Sequence, residues 1–229
     1  KTRLILIEHC NLSEQFQSKS KLFKFVQKIS IFFFYKFAHL IIGVSKGVKK
    51  DLTKAFKYYK LAADQGYDIA QNNLGLSYEN GLGVKKDLNK AIEYFKLAAD
   101  QGLDNAQNNL GVAYETGQGV EKDYKKAFEF YKLAADQGHD MAQHNLGLAY
   151  EFGRGVEKDL KQAVKYYQLS AEQGYYGAQN NLGVAYKYGK GVEKDLNKAI
   201  KYYQLAADQG SDNAQNNLGV AYETGQGVE

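Results

Sequence analysis

The segment GVSKG, residues 43–47, has the GxSxG pattern of hydrolases, in which a nucleophilic serine lies on a sharp turn between a strand and a helix. Ser45 would be the nucleophile, and the apolar residues 31–42 would form the strand before it. Such a site also needs a surrounding sheet and a later Asp and His, whereas the rest of the chain consists of helical repeats. In an alignment of these repeats, Gly47 is the turn glycine that recurs at Gly83. A hydrolase therefore remains an alternative that Ser45→Ala would test.

Two further patterns suggest ligand binding. The recurrent GxGV turn is similar to a nucleotide-binding loop, but such a loop follows a strand and has a third glycine, and here the turn follows a predicted helix. His139 and His144 lie five positions apart, but no other unit adds a ligand there, and zinc needs three or four convergent ligands. Cys10 is the only cysteine, so a disulfide framework is excluded. We predict neither a metal nor a cofactor.

The net charge of +4 is unevenly distributed along the chain. Residues 1–50 contain ten Lys/Arg and two Asp/Glu, whereas the rest contains twenty and twenty-four. The repeats are thus mildly acidic with both signs interspersed, which does not favour nucleic-acid binding. A single cysteine is compatible with a reducing compartment, and the only glycosylation sequon, Asn11-Leu12-Ser13, precedes the repeats. These features favour the cytoplasm.

Residues 1–47 are basic and rich in Phe and Ile. Their longest uncharged run, residues 29–35, is far shorter than the ~20 residues of a membrane-spanning helix. The segment is interpreted either as a basic amphipathic helix, which caps the repeats or lies on a membrane, or as a degenerate repeat helix. Because the chain has no initiator Met and stops at Glu229 within a unit, we expect a fragment of a longer protein.

The rest of the chain repeats every 36 residues. Two of the recurrent series are Asp51, Asp87, Asp123, Asp159 and Asp195, and Ala70, Ala106, Ala142, Ala178 and Ala214. Residues 106–121 recur without change at 214–229. Such regularity predicts a stack of equivalent units, each of which buries its apolar side chains against its neighbours.

Each unit predicts two helices, A and B. In one unit, Ala106, Leu110 and Tyr114 lie on one side of helix A, and Gly117 ends that helix. Asp123 then accepts hydrogen bonds from the first amides of helix B. A further glycine recurs inside each helix A, where it costs up to about 1 kcal/mol, and this predicts close approach of a neighbouring helix. The fold class is all-α, with a leading helix B, four complete units over 70–213 and a trailing helix A.

The pattern A-x-x-x-L-G-x-x-Y-x-x-G-x-G-V-x-x-D-x-x-K-A over residues 48–229 closely resembles the Sel1-like repeat, a relative of the tetratricopeptide repeat. The resemblance implies a right-handed α/α superhelix whose A helices line the concave side. It also implies a non-catalytic adaptor or scaffold that binds other proteins. The alternative is the regulatory tail of a larger enzyme, such as a protein kinase, whose catalytic domain lies outside these residues. Members often have Trp at the positions of Tyr58, Tyr94, Phe130, Tyr166 and Tyr202.

The side of helix A that faces away from its apolar stripe is the predicted partner-binding surface. Each unit places an amide or imidazole, an aliphatic and a charged side chain there, and together they would bind an extended peptide or a helix. The alternative is that the aliphatic row packs against the next helix A. The residues are Asn72, Leu76, Glu79, Asn108, Val112, Glu115, His144, Leu148, Glu151, Asn180, Val184 and Lys187, continued by Asn216, Val220 and Glu223. Arg154, which replaces Gln118 in a turn, is interpreted as exposed variation.

Overall fold

The computed structural model describes residues 51–225, and all regular secondary structure in this range is helical. Helix α1 covers residues 51–63. The helices that follow have 13 residues each. They are α2 (Asp68–Asn80), α3 (Leu88–Asp100), α4 (Asp104–Thr116), α5 (Tyr124–Asp136), α6 (Asp140–Phe152), α7 (Leu160–Glu172), α8 (Tyr176–Tyr188), α9 (Leu196–Asp208) and α10 (Asp212–Thr224).

Even-numbered helices are A helices and odd-numbered helices are B helices. We number the units by their pairs: unit 1 is α2 with α3, unit 2 is α4 with α5, unit 3 is α6 with α7, and unit 4 is α8 with α9. Each A helix packs against the following B helix, and each B helix packs against the A helix of the next unit. The described residues from Lys54 onward belong to one compact unit. The predicted all-α solenoid is confirmed.

Local signals set the helix ends, as the sequence predicts. Asp123 Oδ1 accepts from the backbone nitrogens of Lys125 and Lys126, both at 3.0 Å, at the start of α5. These backbone hydrogen bonds lower the pKa of Asp123. Gly117 has a φ of +78°, a conformation that ends α4 and that a residue with a Cβ adopts at a cost. The A helices begin less uniformly, because Leu103 before α4 makes no side-chain cap whereas His139 before α6 does.

The glycine inside each helix A makes room for an aromatic ring. A Cβ on Gly111 would lie 2.5 Å from Cδ1 of Tyr131, on helix B of the same unit. The predicted close approach of a neighbouring helix is therefore confirmed, and the group that lies nearest to Gly111 is the ring of Tyr131. The equivalent pairs are Gly75 with Phe95, Gly147 with Tyr167, and Gly183 with Tyr203.

The turn between helices A and B fixes each unit on the one before it. Gly155 has a φ of +72°, and a Cβ there would run into the backbone carbonyl oxygen of Tyr124. Tyr124 is the first residue of α5 in the preceding unit. Because backbone cannot move aside as a side chain can, this contact sets the spacing of the units.

Aromatic pairs join helix A to helix B within each unit. Their ring centroids are 5.7–5.8 Å apart and their planes differ by 3–6°. The pairs are Tyr78 with Tyr94, Tyr114 with Phe130, Tyr150 with Tyr166, and Tyr186 with Tyr202. The second member of each pair occupies a position where the Sel1-like pattern often has Trp, so stacking is kept without it.

Several sequence-based interpretations fall on residues that the structure does not describe. They are the GxSxG segment 43–47, Cys10, the sequon at Asn11 and the N-terminal segment 1–47. Between residues 51 and 225, no helix combines the length and the apolar character that crossing a membrane requires.

Candidate partner-binding face of the A helices

The predicted amide positions form a hydrogen-bonded ladder between consecutive A helices. Asn72 and Asn108 are only 6% and 5% exposed. Asn109 Nδ2 donates to Asn72 Oδ1 at 3.0 Å, and Asn145 Nδ2 donates to Asn108 Oδ1 at 3.1 Å. Asn217 makes the same contact with Asn180, at 3.0 Å. The acceptor oxygens at this position are thus already engaged inside the protein, and the ladder holds neighbouring A helices together.

His144 replaces asparagine in the ladder of unit 3. Asn181 Nδ2 lies 3.0 Å from His144 Nε2, which accepts this hydrogen bond in the tautomer protonated at Nδ1. The imidazole also contacts the rings of Tyr167 and Tyr175, with centroids 5.7 and 5.1 Å away. Burial lowers the pKa of His144 to about 4, because the charged form would lose its hydration. His144 therefore joins the ladder as a neutral ring.

The aliphatic positions of the A helices form a half-buried row, which we call the A-helix row. Val112 and Val220 are each 38% exposed. Leu76, Leu148 and Val184 are less exposed and pack against the core. This row thus contacts the core and also presents apolar surface, and its role in partner binding stays a prediction. Its members are Leu76, Val112, Leu148, Val184 and Val220.

The charged positions of units 2 and 3 are held by two partners each. Glu115 Oε2 accepts from the hydroxyl of Tyr131 at 2.7 Å, and its Oε1 lies 2.7 Å from Arg154 Nη1. The hydroxyl comes from helix B of the same unit and the guanidinium from the turn of the next. The side chain of Arg154 is partly exposed, as predicted, but it is more than surface variation, because this charge-assisted hydrogen bond joins two units.

Unit 3 repeats this arrangement with a lysine. Glu151 Oε2 accepts from the hydroxyl of Tyr167 at 2.6 Å, and Lys190 Nζ lies 3.7 Å from Glu151 Oε1. Burial and the adjacent carboxylate raise the pKa of Tyr167, so the phenol stays protonated and donates. In both units a tyrosine and a cation converge on one carboxylate.

Units 1 and 4 break the pattern in opposite ways. In unit 1 the ring beside the glycine is Phe95, which has no hydroxyl to donate, and burial raises the pKa of Glu79. In unit 4, Lys187 stands where the other units have glutamate, and Tyr203 is 1% exposed. Within residues 51–225, the hydroxyl of Tyr203 is the one buried side-chain polar atom without a hydrogen-bond partner. Burial, followed by the neighbouring Tyr188, raises its pKa to about 12.

Sequence reasoning missed a second ladder, made of glutamines. Gln107 is 5% exposed, and its Nε2 lies 3.5 Å from the carbonyl oxygen of Ala99 in the preceding unit. Gln137 Nε2 donates to Gln107 Oε1 at 2.8 Å. The same pair recurs as Gln71 with Gln101, Gln143 with Gln173, and Gln179 with Gln209. The signal was in the sequence, because both glutamines recur in every complete unit.

A second apolar row, which we call the B-helix row, lies on the outer side of the B helices. It consists of Leu61, Leu97, Leu133, Leu169 and Leu205, which are 39–51% exposed. Sequence reasoning did not single out these leucines, although they also recur every 36 residues. They provide a comparison surface for the A-helix row.

No group of three or more His, Cys, Asp or Glu side chains in the described range is placed to hold a metal ion. His139 instead is the N-cap residue before α6, where its Nδ1 accepts from the backbone nitrogen of Ala142 at 3.2 Å. The two histidines therefore have separate structural contacts.

Comparison with known proteins identifies the repeats. The Sel1 repeat model matches residues 40–67, 68–103, 104–139, 140–175, 177–211 and 212–229. A Sel1 repeat protein from Oxalobacter formigenes is 44% identical, with a TM-score of 0.75 over 80% of this chain and 75% of that one. A protective antigen of uropathogenic Escherichia coli strains, which displays an SLR fold, is 41% identical with a TM-score of 0.73. That alignment covers 76% of this chain and 37% of the antigen.

A more distant structure is an immunity protein from Pseudomonas aeruginosa, at 28% identity and a TM-score of 0.50 over 69% of this chain and 59% of that one. No curated protein sequence matches the chain significantly. Sel1 repeat proteins are generally non-enzymatic scaffolds that bind other proteins. The repeat matches cover most of the chain, and the repeat contacts described above follow the same units: the chain belongs to the Sel1 repeat family.

Proposed function

We propose that this chain is a non-catalytic scaffold that binds a partner protein on its A-helix face, the surface formed by the A-helix row and the charged positions beside it. The observation that carries the proposal is the half-exposed aliphatic row, with Val112 and Val220 each 38% exposed. An apolar centre flanked by fixed polar groups is typical of surfaces that bind a peptide or a helix. The occupant would be an extended segment or an amphipathic helix of the partner.

The polar contacts of the A-helix face support this choice over the B-helix row. Glu115 and Arg154 are held in a 2.7 Å contact that leaves 25% and 41% of their side chains exposed. Fixed charges beside an apolar surface orient a partner with little loss of side-chain entropy on binding. The asparagine ladder keeps the A helices at constant spacing, so these groups recur at a fixed repeat distance.

The alternative of a regulatory tail attached to an enzyme has no support among the relatives described above. We retain the cytoplasm as the proposed compartment, on the single cysteine and the absence of sequons in the repeats. The N-terminal segment 1–47 stays a candidate cap, membrane-surface helix or degenerate repeat helix.

The test compares two matched pairs of substitutions in the full chain. The first variant carries Val112→Glu and Val220→Glu in the A-helix row, and the second carries Leu133→Glu and Leu205→Glu in the B-helix row. Both add the same charge at exposed apolar positions. Proteins captured from lysate by wild type and by each variant are quantified by mass spectrometry, after circular dichroism shows that both variants are folded.

We expect the first variant to lose the captured partner by about tenfold or more, because charged side chains would be buried against apolar surface. The second variant should keep it. If only the B-helix variant loses the partner, the proposed face is wrong. If both variants keep it, neither apolar row is the binding surface.

A further inference from the structure

Units 2 and 3 show how this scaffold binds a carboxylate. In each, one buried tyrosine hydroxyl and one cation converge on a glutamate of helix A: Tyr131 and Arg154 on Glu115, and Tyr167 and Lys190 on Glu151. The hydroxyl contacts are 2.7 and 2.6 Å long. These short contacts are typical of hydrogen bonds to an ionised oxygen.

Unit 4 keeps the hydroxyl and lacks the carboxylate. The ring of Tyr203 packs on Gly183 in the same way as the ring of Tyr167 packs on Gly147. Its hydroxyl is buried and has no hydrogen-bond partner among the described residues. A buried polar group that has lost water and gained no partner destabilises the fold, so a well-placed acceptor would bind there favourably.

Unit 4 has a cation at the position of the glutamate itself, whereas the cations of units 2 and 3 come from the turn of the following unit. Lys187 replaces the glutamate, and within the described part of the chain its ammonium group makes no ion pair. Its Nζ lies 5.4 Å from the ring centre of Tyr188, and Lys190 Nζ lies 6.0 Å from the same ring. Since Glu151 already neutralises Lys190, unit 4 has one uncompensated positive charge at this position.

We propose that Lys187 and Tyr203 bind an acidic side chain, Asp or Glu, of the partner protein. The incoming carboxylate takes the role that Glu115 and Glu151 play in units 2 and 3, with Tyr203 donating to one oxygen and Lys187 pairing with the other. The proposal rests on the function proposed above, because Lys187 lies on the A-helix face. It adds a chemical class to the partner, namely a segment with an acidic residue facing unit 4.

The hydroxyl of Tyr203 is covered in the unbound chain, so the carboxylate reaches it after a side chain at the rim moves. Lys187 is partly exposed, and its unbranched side chain changes rotamer at low cost. On binding, the ammonium group of Lys187 would leave its exposed position and pair with the carboxylate of the partner.

The test measures fluorescence anisotropy of two peptides with the full chain. One peptide alternates Glu and Ala, and the other has Gln in place of Glu. Both have an amidated C-terminus and an uncharged BODIPY label, so the carboxylates come from side chains alone. The variants are Lys187→Glu, Tyr203→Phe and the matched controls Lys201→Glu and Tyr176→Phe, which change exposed residues of α9 and α8.

We expect wild type to bind the Glu peptide about tenfold more tightly than the Gln peptide. Lys187→Glu should abolish this preference and Tyr203→Phe should reduce it about threefold, while both controls retain it. The controls carry the same change in charge or hydroxyl, so attraction to the basic N-terminal segment cancels in the comparison.

Equal losses in Lys187→Glu and Lys201→Glu would reduce the effect to general electrostatic attraction and overturn the proposal. A wild-type chain without preference for the Glu peptide would overturn it as well. In either case the capture experiment on the A-helix row decides the proposed function separately, because its substitutions leave Lys187 and Tyr203 in place.

Discussion

Units 3 and 4 are built alike and differ in the polar group that faces their central tyrosine. Tyr167 and Tyr203 are 2% and 1% exposed, and each ring lies on the glycine of its own helix A. Tyr167 donates to Glu151, whereas Tyr203 faces a unit with Lys187 and donates to nothing in the described residues. The packing of the central tyrosine ring is thus the same whether or not its hydroxyl has a partner among the described residues. A single substitution can alter the surface chemistry of one unit and leave the stack intact.

The largest change in stability should come from substituting the glycine that packs against the central tyrosine in both units. Gly147→Ala and Gly183→Ala place a Cβ 2.6 Å from the ring of Tyr167 or Tyr203, and 3.2 Å from a backbone oxygen. We expect each to lower the free energy of unfolding by about 2–3 kcal/mol, since a packed ring must shift. Urea denaturation followed by circular dichroism measures this.

Gly219→Ala is the matched control, because nothing lies within 4 Å of a Cβ at Gly219 in α10. Here the better helix propensity of alanine should raise the free energy of unfolding by up to about 1 kcal/mol. If all three substitutions act in the same direction, the ring contact is not the reason for the glycine.

The next largest effect should differ between the two units, because only one of the two central tyrosines has a hydrogen-bond partner in the described residues. Tyr167→Phe removes the donor to Glu151 and should cost about 2 kcal/mol, because a partly buried carboxylate loses a hydrogen bond. Tyr203→Phe removes an unpaired hydroxyl, so the free energy of unfolding should stay unchanged or rise. Paired urea denaturation curves measure the difference, and equal costs for the two substitutions would contradict the assignment of Tyr203 as unpaired.

The ladder position also distinguishes the units, since unit 3 has His144 and unit 4 has Asn180. Burial lowers the pKa of His144 to about 4, whereas the unfolded chain has a pKa near 6.5. As the pH falls from 7 to 5, this histidine therefore becomes protonated in the unfolded chain but stays neutral in the folded chain. We expect the free energy of unfolding to fall by about 1–2 kcal/mol over this range.

His144→Asn restores the residue of the other units and should remove this loss. The measured quantity is the difference between wild type and variant at each pH, in which the titration of the carboxyl groups cancels. The difference should be constant above pH 7 and grow as the pH falls. A difference that does not change with pH would show that the imidazole titrates normally in the folded chain.

The smallest effect should come from making unit 4 resemble unit 3. Lys187→Glu supplies the carboxylate that Tyr203 lacks, and we expect the free energy of unfolding to rise by about 1 kcal/mol. Lys201→Glu makes the same change of charge on the exposed surface of α9 and should stay within about 0.5 kcal/mol of wild type. A loss of stability in Lys187→Glu would mean that position 187 does not face the hydroxyl of Tyr203.

The ends of the helices could be predicted from the sequence because the signals are local. Asp123 accepts from amides two and three residues away, and Gly117 ends α4 through its own backbone conformation. The helix-internal glycine also predicted a close neighbour correctly. In each case the residues that decide the structure lie within one unit.

The chemistry of the candidate site could be predicted only in part. The periodicity predicts which side of helix A faces away from its apolar stripe, but it does not predict that the asparagines on that side bond to each other. Asn108 and Asn145 lie 37 residues apart in sequence, yet Asn145 Nδ2 is 3.1 Å from Asn108 Oδ1. Whether they meet depends on the angle and spacing between successive units, which no local pattern contains.

The sequence alone determined that this chain is a stack of paired helices, because a 36-residue period with fixed caps permits little else. The tertiary structure decided which polar groups remain available. Glu115 and Arg154 are 39 residues apart in sequence and form one contact, while the hydroxyl of Tyr203 has no partner within residues 51–225. Helix formation follows from neighbours along the chain, but hydrogen bonding of a buried group depends on which units the stack brings together.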